Sequence, residues 1–117
     1  MFRFRARLLT NEQTSEIVAA KLKWILSGCT PDKVILFGSA ARGEMTDQSD
    51  VDLALIFRKP EDVKRQKKAL FETAGRDFWP QDLLFLSDRE FAERAQAGGV
   101  CEIIATEGKV LFERKVE

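Results

Sequence analysis

The stretch 34-VILFGSAARGEMTDQSDVDLALI-56 decides how this chain is read. It opens on four apolar residues, Val34 to Phe37, and ends inside a second run, Val51 to Phe57, VDLALIF. Short apolar runs bounded by turn residues read as buried strands. Between them, Gly38 and Ser39 begin a short helix running to Glu44 and closed by Gly43, and Met45 to Ser49 is a polar loop. Strand, tight glycine turn, short helix, loop and strand form one unit, and the rest of the chain is read outward from it.

Three features of this region call for one explanation. Gly38-Ser39 ends a buried strand. A glycine there lets the backbone approach a ligand closely, and the N–H groups that open the next helix favour phosphate. Alone, this is also a common turn. The second feature is Asp50-Val51-Asp52 at the mouth of a very apolar strand. Residues i and i+2 of a strand share a face, so two carboxylates project side by side. Their repulsion raises one pKa, and a hard divalent cation, Mg²⁺ or Mn²⁺, relieves it. Alone, these are also two solvated aspartates at a strand entry. The third feature is Asp82, which opens DLLFL although aspartate is disfavoured in strands. If its strand lies beside that of Asp52, Asp82 reaches the same metals.

Toward the N-terminus, Phe2 to Leu9 alternate and form an edge strand or an extended arm. Thr10 or Asn11 caps a helix, with Gln13 placed as in a capping box. Ile17, Val18, Leu22, Ile25 and Leu26 recur at helical spacing, and Gly28 and Pro31 end the helix. Toward the C-terminus, a helix runs from Pro60 to about Gly75. Val63, Leu70, Phe71 and Ala74 form its apolar face, and Lys64, Arg65, Lys67 and Lys68 a solvated one. A strand over Asp82 to Leu86 follows. Ser87 or Asp88 caps a helix to about Ala97, which Gly98-Gly99 breaks. Cys101 to Thr106 is helical, and Val110 to Glu113 is a last strand. Trp24 and Trp79 are core or interface residues. The fold class is α/β or α+β, a small mixed β-sheet flanked by helices, in a single domain over residues 1–117.

Composition narrows the chemistry. The 117 residues carry 19 basic and 19 acidic side chains, so no net charge draws the chain to phosphate backbones, and direct nucleic-acid binding is not expected. There is no histidine and no tyrosine. This removes Ser-His-Asp and Cys-His catalysis and the imidazole base. Carboxylates, Lys, Arg, Ser, Thr or bound metals must do the work. Cys29 and Cys101 are in no CxxC and read as reduced, buried thiols, not as a zinc site. No signal peptide and no membrane span is visible, so the expected location is the cytoplasm.

Taken together, Gly38-Ser39, a ten-residue gap from Ala40 to Ser49, Asp50-x-Asp52 and a later strand carboxylate resemble the pattern of the polymerase beta-like nucleotidyltransferase superfamily. FGSAARGE and SDVDLAL resemble its minimal nucleotidyltransferases, and the closing EGKVLFE is similar too. The resemblance implies the nucleotidyltransferase fold. It implies that Gly38 and Ser39 hold the β,γ-phosphates of an NTP, ATP in the first place. Asp50 and Asp52 would bind two Mg²⁺ ions. Asp82 would complete one metal site and take the proton of the acceptor hydroxyl. Arg42, one helical turn beyond Gly38-Ser39, would touch a phosphate or pair with a carboxylate, and Asp47 and Ser49 would cap the loop. Minimal nucleotidyltransferases are commonly antitoxins paired with a helical HEPN RNase toxin, and characterised members transfer AMP to a tyrosine of that toxin. The resemblance thus implies a HEPN-family partner. Two other readings stand beside it: a module that neutralises its partner by binding alone, and an enzyme that modifies a small hydroxylated molecule. Oligomeric state is left open.

Overall fold

The structure, a computed structural model, describes residues 5–115. Phe2 and Phe4 of the expected N-terminal arm lie outside them. The elements run α1 (Asn11–Gly28), β1 (Lys33–Phe37), α2 (Gly38–Ala41), β2 (Val51–Phe57), α3 (Asp62–Phe71), β3 (Gln81–Ser87), α4 (Asp88–Ala97), α5 (Val100–Glu107) and β4 (Lys109–Glu113). The strands form one mixed sheet in the order β3-β2-β1-β4. β1 runs antiparallel to β2 and to β4, whereas β2 and β3 are parallel.

The apolar runs of the central stretch become the two inner strands, which are covered on both faces. Val34, Leu36, Leu53 and Leu55 point to one face and pack with Val18, Trp24 and Ile25 of α1 and Leu70 of α3. Ile35, Phe37, Ala54 and Ile56 point to the other and pack with Leu86, Cys101 and Ile104, beneath α4 and α5. Strands buried on both faces lose the polar alternation of half-exposed ones, which is why VDLALIF is apolar almost throughout. The two thiols are free and buried, Cys29 in the first cluster and Cys101 in the second, with the sheet between them. Burial pushes the Cys29 thiol up to about 11, which keeps it protonated and unreactive.

Thr10 is the N-cap of α1. Its hydroxyl accepts from the Gln13 N–H at 3.0 Å, and the Gln13 side chain accepts from the Thr10 N–H at 2.9 Å. At the far end Gly28 is fixed by packing. A Cβ there would lie 2.6 Å from Thr73 Oγ1 and 2.9 Å from Leu70 Cδ1, so the glycine lets α1 and the end of α3 touch. Ahead of α1 the chain forms an arm against the loop before β2. Leu9 N–H donates to Met45 O at 2.9 Å and Asp47 N–H to Arg7 O at 2.9 Å.

The structure corrects several expectations. The short helix after Gly38 stops at Ala41 instead of Glu44. The helix after Pro60 starts at Asp62 and stops at Phe71, not at Gly75. Its last turn tightens as Thr73 N–H bonds to Leu70 O at 3.0 Å, a common helix ending. Its buried residues are Gln66 and Leu70; Phe71 is partly exposed but packs against the rings of Trp24 and Phe85, and Ala74 is exposed. Gln66 is buried because it ties α3 to the turn after α1, accepting from Thr30 N–H and donating to Thr30 Oγ1, both at 2.9 Å. Lys21 is fully buried on the inner face of α1, where a lysine reads from sequence as solvated. Among the described residues no helix is long and apolar enough to cross a membrane.

Candidate active site

The site forms where β1 ends and β2 and β3 begin. Because β2 and β3 are parallel and in register, Asp52 stands directly beside Asp82. Because β1 is antiparallel to β2, Phe37 stands opposite Asp52, which brings Gly38 against its carboxylate. Gly38 has φ +71°, a conformation that side chains rarely adopt. A Cβ at this position would collide with Asp52 Oδ2. The glycine therefore serves twice, turning the chain into α2 and leaving room for the carboxylate. Asp50 lies just ahead of β2 and is exposed, as is Asp82, while Asp52 and Ser39 are half-buried.

Asp52 is the strained group of the set. Burial raises its pKa first, the charges of Asp82 and Asp50 raise it further, and Arg42 works in the opposite direction. Three negative charges thus act on one another at the mouth of a buried sheet. Carboxylate oxygens are hard ligands that suit Mg²⁺, and this ion keeps several waters and takes oxygens from bound phosphates. Among the described residues no three His, Cys, Asp or Glu side chains stand close enough to enclose an ion unaided. The donor set fits an open site, completed by water and ligand oxygens.

The other expected residues take clear places. Arg42 is exposed and pairs with Glu44, its Nε donating to Oε2 at 3.0 Å. Ser49 and Asp47 cap backbone groups of the loop. Ser49 Oγ accepts from Thr46 N–H, and Asp47 Oδ1 from Arg7 N–H, both at 2.9 Å. A groove of about 660 Å³ between α1, α2 and β4 is lined by Val18, Leu22, Leu36, Ala40 and Leu111. It lies on the α1 face of the sheet with Arg42 on its lining, and none of the three aspartates lines it. Two residues that pattern reading did not assign to this region touch the backbone around it. Trp79 Nε1–H donates to Ser49 O at 2.9 Å. The Lys21 ammonium donates to Trp79 O at 2.7 Å. The only hint in the sequence was Trp79 standing just ahead of Pro80 and Asp82.

Comparison with known proteins shows the fold and the family. A crystal structure described as a putative nucleotidyltransferase from Sulfolobus solfataricus superimposes with a TM-score of 0.53 at 17% identity, over 89% of this chain and 84% of that one, and so shares the fold. A curated protein of Methanocaldococcus jannaschii described as a putative protein adenylyltransferase is 38% identical over 53 residues, which is 45% of this chain. The match spans about half, 52%, of that relative's length. The family described as "Polymerase beta, Nucleotidyltransferase" matches residues 20–117, which include Gly38, Ser39 and all three aspartates. With most of its length matched, this chain belongs to the polymerase beta nucleotidyltransferase family.

Proposed function

We propose that the protein transfers AMP from ATP to a hydroxyl of a partner protein, a tyrosine of a HEPN-family RNase toxin, and so acts as its antitoxin. The observation that carries this reading is the in-register pair Asp52–Asp82 beside the bare backbone of Gly38. The relative described as a protein adenylyltransferase supports a protein as acceptor, and the HEPN partner rests on the resemblance of the central motifs to minimal nucleotidyltransferases.

In this reading Gly38 admits the phosphates of ATP to the backbone and Ser39 donates to them. Asp50, Asp52 and Asp82 would hold Mg²⁺, which would supply charge neutralisation for the transfer. Asp82, exposed at the edge of the sheet, takes the proton of the acceptor hydroxyl. The acceptor oxygen bonds to the α-phosphorus as the α,β-bridging P–O bond breaks, and pyrophosphate leaves. Such chemistry depends on position and charge more than on a covalent intermediate. That suits a chain without histidine.

The test is transfer of label from α-³²P-ATP with Mg²⁺ to the product of the neighbouring gene, by wild type and by Asp50→Asn/Asp52→Asn. Label on that protein with wild type alone is the expected result. A tight complex without label, equal for both, points instead to neutralisation by contact. Label on small hydroxylated acceptors but on no protein points to the third reading.

A further inference from the structure

Trp79 and Pro80 grip the backbone on both sides of Asp50. The indole N–H of Trp79 donates to Ser49 O at 2.9 Å, and Pro80 O accepts from Val51 N–H at 2.9 Å. Ser49 and Val51 are the immediate neighbours of Asp50, and Trp79-Pro80 stands two residues ahead of Asp82. One short segment thus fixes the start of both acidic strands. That segment is itself anchored. The buried Lys21 ammonium donates to Trp79 O at 2.7 Å and to Asp77 O at 3.0 Å, and pairs with Asp77 Oδ1 at 2.9 Å. Asp77 Oδ1 also accepts the Trp79 N–H at 3.0 Å. A buried ammonium is tolerated only when its donors are all satisfied, and here the three acceptors all lie in residues 77–79. A generic core would have used an apolar side chain at this place on α1.

We propose that Trp79, held by Lys21, is a positioning residue that sets the separation of Asp50 from Asp82. This rests on the reading of these aspartates as metal ligands. Asp82 and Asp50 both bear on Asp52 with like charge while no cation is bound. Asp50 lies outside the β2 ladder, so its place depends on the loop that carries it. Thr46 ties Ser49 within the loop, whereas the bond from Val51 N–H to Pro80 O and the indole bond to Ser49 O join this loop to the segment ahead of Asp82, and of those two only the indole bond comes from a side chain.

The test compares wild type, Trp79→Phe and, as a neighbouring control, Phe78→Leu, in the full chain. Phe78 is 89% exposed. Three quantities are read: Mn²⁺ affinity by electron paramagnetic resonance, the melting temperature, and amide exchange across residues 46–52. Trp79→Phe keeps an aromatic ring against the core but removes the N–H donor together with part of the indole. The expected result is faster exchange confined to residues 46–52 and Mn²⁺ affinity lower by about fivefold, the scale of one net hydrogen bond, with a melting temperature lower by a few degrees. Phe78→Leu should match wild type in all three. Unchanged exchange at residues 46–52, or faster exchange with Mn²⁺ affinity equal to wild type, overturns the proposal. If wild type binds no Mn²⁺, the metal reading fails, and the proposal falls with it. Should Trp79→Phe fail to fold, Trp79→Tyr, which also lacks the indole donor, is read in its place.

Discussion

Asp52 sits where its charge costs the fold. Its folded pKa lies above the ordinary carboxylate value, through burial and then through Asp82 and Asp50. A carboxyl with a raised folded pKa favours folding below its ordinary value, and that contribution is lost as pH rises through the raised value. At neutral pH the ionised Asp52 therefore works against the metal-free fold. Asp52→Asn should melt at a higher temperature than wild type at pH 7, with the gap closing toward pH 4, while transfer activity is lost. Equal melting curves across this range, measured by calorimetry without divalent ions, would show that the site carries no such strain. Gly38→Ala works the other way. It meets both the positive φ and the Asp52 carboxylate, so it should cost about 1–3 kcal/mol, read by urea titration.

At the scale of elements, local rules were legible and distant ones were not. The strands VILF and VDLALIF are written in runs too apolar for half-exposed strands, and the capping box of α1 in Thr10 and Gln13. Thr10→Ala should therefore lower stability by about 1 kcal/mol, seen as a drop of several degrees in melting temperature. The neighbours of Asp82 were beyond local reading. Its pairing with Asp52 depends on α3 crossing over to make β2 and β3 parallel. Lys21 and Gln66 escaped for the same reason. Each is a polar residue whose partners lie 56–58 and 36 positions away, and helical periodicity assigns such residues to water. The end of α3 was overextended because Ala74 continues the apolar spacing. The chain breaks off earlier, where residues 77–79 must turn back toward α1.

For the whole molecule, the spacing between motifs acquires a physical meaning. The ten residues between Ser39 and Asp50 hold the end of α2 and the loop that lets β2 return antiparallel to β1. That return lays Asp52 against Gly38. The chain after β2 must then cross one face with α3 and re-enter in parallel to add Asp82. Glycine, half-buried aspartate and exposed aspartate therefore meet at one edge from three separate strand ends, although only the first two are close in sequence. On the face carrying α4 and α5, Cys101 and Ile104 pack with Ile35 and Phe37 beneath the helices.

The indole on Ser49 O has one more use. The chain has two tryptophans and no tyrosine, so its absorption near 280 nm and its fluorescence come almost wholly from two rings. Trp24 is sealed in the core, with Arg76 5.9 Å from its ring. Trp79 is half-buried, with its N–H on the residue before Asp50. Trp24 reports on the packed interior, and Trp79 on the acidic edge. The protein carries its own optical gauge beside the carboxylates, and replacing Trp24 with phenylalanine would leave that gauge as the only emitter.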